Sequence, residues 1–99
     1  MTPSTLAAGP APGAAADPDA ELRALIERVA QRDEAALRTL YERTSPRLFG
    51  LAMRVLRQRD TAEDVLQESF LTVWRVAVDY RAALSPPLAW MGLIVRSRA

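Results

Sequence analysis

The sequence predicts an all-α fold, a small bundle of about four to five helices. Three observations predict it. Apolar residues recur at i, i+3, i+4 and i+7 in successive windows, the spacing of one buried helix face. Asp-Pro or Ser-Pro pairs stand at three places along the chain, as a cap residue followed by proline does at a helix start. No stretch alternates apolar and polar residues as a half-buried strand would.

The elements follow in order. Residues 1–16, MTPSTLAAGPAPGAAA, are rich in Ala, Pro and Gly without an apolar period. Residues 1–17 are therefore expected to form a disordered tail ahead of a helical domain at 18–99. Asp17-Pro18 reads as cap and first helical residue, and Leu22, Leu25, Ile26 and Val29 stripe a helix over about 18–31. Asp33 can cap a second helix, with Ala36, Leu37, Leu40 and Tyr41 inward. Ser45-Pro46 predicts a kink or short break, after which the stripe resumes at Leu48, Leu51, Ala52, Val55 and Leu56. Arg43, Arg47, Arg54 and Arg57 lie opposite, as a solvated face or a stripe for phosphates.

RQRD at 57–60 interrupts the pattern. Asp60 or Thr61 is expected to cap a third helix running to about Val78, with Glu63 or Asp64 completing a capping box. Ala62, Val65, Leu66, Ser69, Phe70, Val73 and Ala77 gather on its core side, and Asp64, Gln67, Glu68 and Arg75 on the other. Leu71 falls in the middle of that polar face. It is either an ordinary exposed leucine or the apolar centre of a contact surface. Residues 79–87, DYRAALSPP, form a loop, and Ser85-Pro86 opens a last helix striped by Leu88, Met91, Gly92 and Val95. Arg96 and Arg98 occupy its last turn, where cations favour the helix dipole.

Composition narrows the function. A net charge of +1 conceals segregation: residues 21–59 carry nine Arg against five acids, and residues 60–79 carry five acids against Arg75 alone. Opposite signs on successive elements imply two different surfaces, or mutual neutralisation across the fold. There is no cysteine and no histidine, so disulfides, thiolate chemistry and the commonest general base are excluded. Glu63, Asp64 and Glu68 are the best material for acid–base or metal chemistry, and no His or Cys complements them; neither catalysis nor a cofactor or metal is expected. No run is long and apolar enough to span a membrane, and no signal peptide opens the chain, so a soluble cytoplasmic protein without membrane insertion is expected. A domain this small is marginal alone, which leaves room for a partner. For nucleic acid, the useful residues are the Arg stripe, the basic last helix and Tyr80, an aromatic able to stack a base or to anchor its own loop.

Residues 40–75, LYERTSPRLFGLAMRVLRQRDTAEDVLQESFLTVWR, strongly resemble region 2 of extracytoplasmic-function (ECF) sigma factors, the bacterial transcription initiation factors. Residues 85–99, SPPLAWMGLIVRSRA, resemble the end of that region, and with DEAALRTL at 33–40 the resemblance covers about 21–99. It implies two contacts. The helix carrying D-x-x-Q-E docks on the clamp helices of the RNA polymerase β′ subunit, which gives Asp64, Gln67 and Glu68 that role, with Leu71 as the apolar centre. The loop and last helix receive the promoter −10 element as unpaired DNA, which points to Tyr80, Arg81, Arg96, Ser97 and Arg98. Trp90 is expected chiefly in the core. An anti-sigma factor is an implied partner. The other functional reading is a protein-interaction module alone, held by an anti-sigma factor or acting as a truncated decoy.

The sequence departs from the family at RAALSP, 81–86, which lacks the usual Arg-Gly pair, and at Ser97, where Asn is usual. The family's −10 base preference therefore does not transfer. The family's second helical domain, region 4, which binds the −35 element, has no counterpart in these residues. The expectation is a fragment or natural truncation that does not direct full promoter-specific initiation alone.

Overall fold

A computed structural model describes residues 17–99, and the tail expected over residues 1–16 lies outside them. Four α-helices follow one another: α1 (Pro18–Ala30), α2 (Glu34–Leu56), α3 (Arg59–Val76) and α4 (Pro87–Arg98), with a 3₁₀ turn at Ala77–Asp79. There is no strand among the described residues. The long α2 is the spine, packed against α1, α3 and α4, while α3 also packs on α4. One core joins all four helices, with Ile26, Leu40, Val73, Met91 and Val95 almost wholly buried. The buried polar residues Thr44 and Ser69 satisfy their hydroxyls by donating to Leu40 and Val65 carbonyls, 2.7 Å in each case.

The first two caps match the sequence reading. Asp17 accepts from the Asp19 and Ala20 amides, and Asp33 accepts from the Ala36 amide at 3.1 Å. Arg28 also holds Asp33, through Nη2 at 2.9 Å. The Ala36 amide, followed by Arg28, keeps the Asp33 carboxyl below the usual aspartate range. Both α1 and α2 are followed by an arginine in the left-handed region, Arg32 at φ 69° and Arg57 at φ 63°. This conformation normally favours glycine. Arg32 has compensating contacts: its guanidinium lies 4.8 Å from the Trp74 ring centroid and donates to the Trp74 carbonyl near the end of α3.

Several boundaries differ from expectation. No break occurs at Pro46, which lies inside a continuous α2. Leu40, Thr44, Leu48 and Ala52 are buried at successive four-residue steps straight through it, while Pro46 and Glu42 are exposed. The carbonyl that the proline leaves unpaired therefore belongs to an exposed residue, and packing on both sides holds the helix. Neither Asp60 nor Thr61 caps α3. Left-handed Arg57 reverses the chain so sharply that the helix starts at Arg59, with Gln58 in the cap position and no side-chain cap bond. Glu63 pairs with Arg59 rather than closing a capping box. The third helix ends at Val76 and tightens into the 3₁₀ turn. At α4 the cap position falls on Pro86, one residue beyond Ser85. Tyr41, expected inward, is 40% exposed, and Val55 is 50% exposed.

Candidate functional site

Two faces stand out. The first is the outer side of α3. Its inner side buries Ala62, Val65, Leu66, Ser69, Phe70 and Val73, which turns Asp64, Gln67, Glu68 and Leu71 outward together. Leu71 is 64% exposed. The ion pairs among the described residues are Arg23–Asp17, Arg28–Asp33, Arg43–Glu21 and Arg59–Glu63. Asp64 and Glu68 enter none of them, so neither carboxylate has an arginine within ion-pair distance among the described residues. No group of three or more Asp and Glu side chains is arranged to hold a metal ion among those residues.

Leu71 is not simply ringed by charge. It borders a shallow groove of about 460 Å³ between α2 and α3, lined also by Glu34, Leu37, Arg38, Tyr41, Phe70 and Trp74. Tyr41 meets Phe70 edge to face, with ring centroids 4.9 Å apart. Sequence reasoning sent Leu37 and Tyr41 to the core because they share the inward half of α2. Both stand at its margin, where the interhelical contact opens to solvent.

The second face surrounds the loop between the 3₁₀ turn and α4. Tyr80 is half-buried. Its hydroxyl donates to the Ser85 carbonyl at 2.8 Å, and its ring lies 4.9 Å from that of Trp90, centroid to centroid. Burial pushes the phenol above its ordinary pKa. The hydroxyl thus ties both ends of the loop together, and the Trp90 ring fixes Tyr80 from α4. Arg81 is exposed and reaches only weakly, at 3.4 Å, to the Val78 and Tyr80 carbonyls. Arg96, Ser97 and Arg98 are all exposed, but the helix separates them. Two residues apart means about 200° around the axis. Ser97, seven residues after Trp90, stays on the Trp90 side. Arg98 continues the Met91–Val95 stripe toward α3 and donates to Thr72 Oγ1 at 2.9 Å. The structure therefore packs Tyr80 on Trp90, sets Ser97 two turns beyond Trp90 on the same side of α4, leaves Arg81 and Arg96 exposed, and anchors Arg98 to α3.

The Sigma-70 region 2 family model matches residues 40–99. The chain belongs to the sigma-70 region 2 family. Its curated relatives are of the ECF type. The chain is 42% identical over 79 residues to the ECF RNA polymerase sigma factor SigK of Mycobacterium tuberculosis (strain ATCC 25618 / H37Rv), an overlap covering 80% of this chain and 42% of that protein. It is 40% identical over 79 residues to SigK of Mycobacterium ulcerans (strain Agy99), covering 80% and 42%. It is also 40% identical over 80 residues to SigK of Mycolicibacterium vanbaalenii, covering 81% and 41%. The chain thus spans about two fifths of the relatives' length. In this region 2 domain both the D-x-x-Q-E helix and the loop before the last helix lie within the family match. No helix among the described residues is long and apolar enough to cross a membrane.

Proposed function

We propose that this region 2 domain serves transcription initiation by holding RNA polymerase through α3 and the single-stranded promoter −10 element through the loop and α4. The observation that carries the reading is the outer face of α3. There Leu71 is 64% exposed beside Asp64 and Glu68, which pair with no arginine among the described residues. An apolar centre inside a charged rim is the anatomy of a protein interface, with energy at the centre and association rate set by the rim. The polymerase contact is the clamp helices of the β′ subunit, met by Asp64, Gln67, Glu68 and Leu71.

The DNA contact uses Tyr80, Arg81, Arg96 and Ser97, with Arg98 at the margin toward α3. An unpaired base presents a π-face for stacking and edges for hydrogen bonding, and cations along its path release counterions. The Tyr80–Trp90 pair supplies a rigid aromatic support. An anti-sigma factor would act by covering one of these two faces.

The test is binding of a single-stranded oligonucleotide at several salt concentrations. Arg96→Gln should weaken binding and reduce the slope of log K against log salt by about 0.7 for each phosphate no longer neutralised. Arg28→Gln, already paired with Asp33, should change the slope much less. Equal effects would mean that the basic charge acts diffusely, and no measurable binding by the parent would end the DNA half of the reading.

A further inference from the structure

The outer side of α4 has an apolar centre of its own. Leu93 is 65% exposed, as Leu71 on α3 is 64% exposed. At about 100° per residue, Ala89, Trp90, Arg96 and Ser97 all lie within about 60° of Leu93 around the α4 axis. Trp90 is half-buried and the other three are exposed. The same angles gather Asp64, Gln67, Glu68 and Arg75, all exposed, around Leu71. Neighbouring helices thus carry two solvent-facing leucines, one beside carboxylates and one beside a guanidinium. Asp64, Glu68, Arg75 and Arg96 enter no ion pair among the described residues. Within one molecule the two outer sides cannot meet, because α3 and α4 pack through their buried stripes.

The two sides also match in register. Gln67 and Glu68 precede Leu71 by four and three residues, and Arg96 and Ser97 follow Leu93 by three and four. Laid antiparallel with leucine on leucine, the helices bring Glu68 level with Arg96, each about 4.5 Å along its axis from the leucine. Gln67 then stands level with Ser97, and Arg75 level with Ala89 beside the Trp90 ring. A carboxylate meets a guanidinium, an amide meets a hydroxyl, and a second guanidinium reaches an indole. A parallel arrangement fails: it sets Glu68 against the Trp90 ring and Arg75 beside Arg96, like charge on like. We infer that two copies of this chain associate through unlike faces, the outer side of α3 in one against the outer side of α4 in the other, antiparallel. One helix pair is a small contact, so the association is weak, concentration-dependent and strongest at low salt. It stands without the polymerase and DNA reading; on that reading, it competes with both partners.

The experiment is sedimentation equilibrium of the 99-residue chain up to several hundred micromolar, at low and at high salt. The mean mass of the parent should rise with concentration at low salt and return to that of the monomer at high salt. Glu68→Arg and Arg96→Glu should each raise the dissociation constant about tenfold or more, because a like-charge pair replaces an unlike one. Mixing the two variants should restore association, since each offers its unaltered face to the other. Leu93→Gln should weaken association without a change of charge. These side chains are exposed, and circular dichroism checks that helix content is intact. A parent that stays monomeric at low salt overturns the inference and leaves both faces to other partners. So does an Arg96→Glu variant that associates like the parent, which takes α4 out of the contact, and so does a mixture that stays monomeric.

Discussion

Replacing Leu71 by alanine separates folding from docking because the structure gives the two effects different sizes. Leu71 keeps 64% of its surface exposed, so about one third of its transfer energy is at stake in folding. A fully buried leucine contributes about 1.5–3 kcal/mol, which leaves at most about 1 kcal/mol for this one. In a domain of this size that lowers Tm by no more than about 4–8 °C. Leu66, one and a half turns earlier on the same helix, is 4% exposed, and its truncation should cost about 2–5 kcal/mol. Docking reverses the order. As the centre of an interface with β′ clamp helices, Leu71→Ala should cost about 1–2 kcal/mol or more in affinity. That corresponds to a dissociation constant raised about five- to thirtyfold. Glu68→Arg should act mainly on association rate and on its salt dependence, since Glu68 is exposed and pairs with no cation among the described residues. Chemical unfolding gives the first quantity, and calorimetric titration with a purified β′ clamp-helix fragment gives the second. A folded Leu71→Ala variant that binds like the parent refutes the interface. So does a stability loss as large as that of Leu66→Ala, which would make Leu71 a packing residue.

Two further outcomes follow from the helix ends. Arg32→Ala removes a cation–π contact and a bond to the Trp74 carbonyl, so stability should fall by about 1–2 kcal/mol, and Trp74 emission in a Trp90→Phe background should move toward the wet range. An unchanged unfolding midpoint would mean that the exposed guanidinium adds nothing net. Asp33 has its pKa lowered in the folded state, so its contribution is complete above the unfolded aspartate value, about 3.9, and is lost as pH falls through the lower folded value. Asp33→Asn should therefore flatten the acid limb of stability below about pH 4 while leaving the neutral region less affected, because asparagine still caps. An acid limb identical to that of the parent would contradict the linkage.

The helices were legible in the sequence because each has to bury a stripe, and a stripe is a property of spacing. Leu22, Leu25, Ile26 and Val29 announced α1, and Val65, Leu66, Phe70 and Val73 announced α3, and all eight are buried. Asp17 and Asp33 were readable as caps because their bonds are local, reaching only two or three residues along the chain. The exposure of Leu71 was likewise written in its angle on α3. What spacing could not carry was the outcome of competition between elements. Pro46 allowed a kink or a short break, and with Leu40, Thr44, Leu48 and Ala52 buried across it the helix runs on without a break. Asp60 argued for a cap, and left-handed Arg57 started the helix before it. The groove beside Leu71 needs Leu37 and Tyr41 from α2. Arg96 and Arg98 are near neighbours in the chain, yet α4 turns one to solvent and delivers the other to Thr72 on α3. Local periodicity fixes which way a side chain faces on its own helix. Only the packing of one helix against another decides what it faces there.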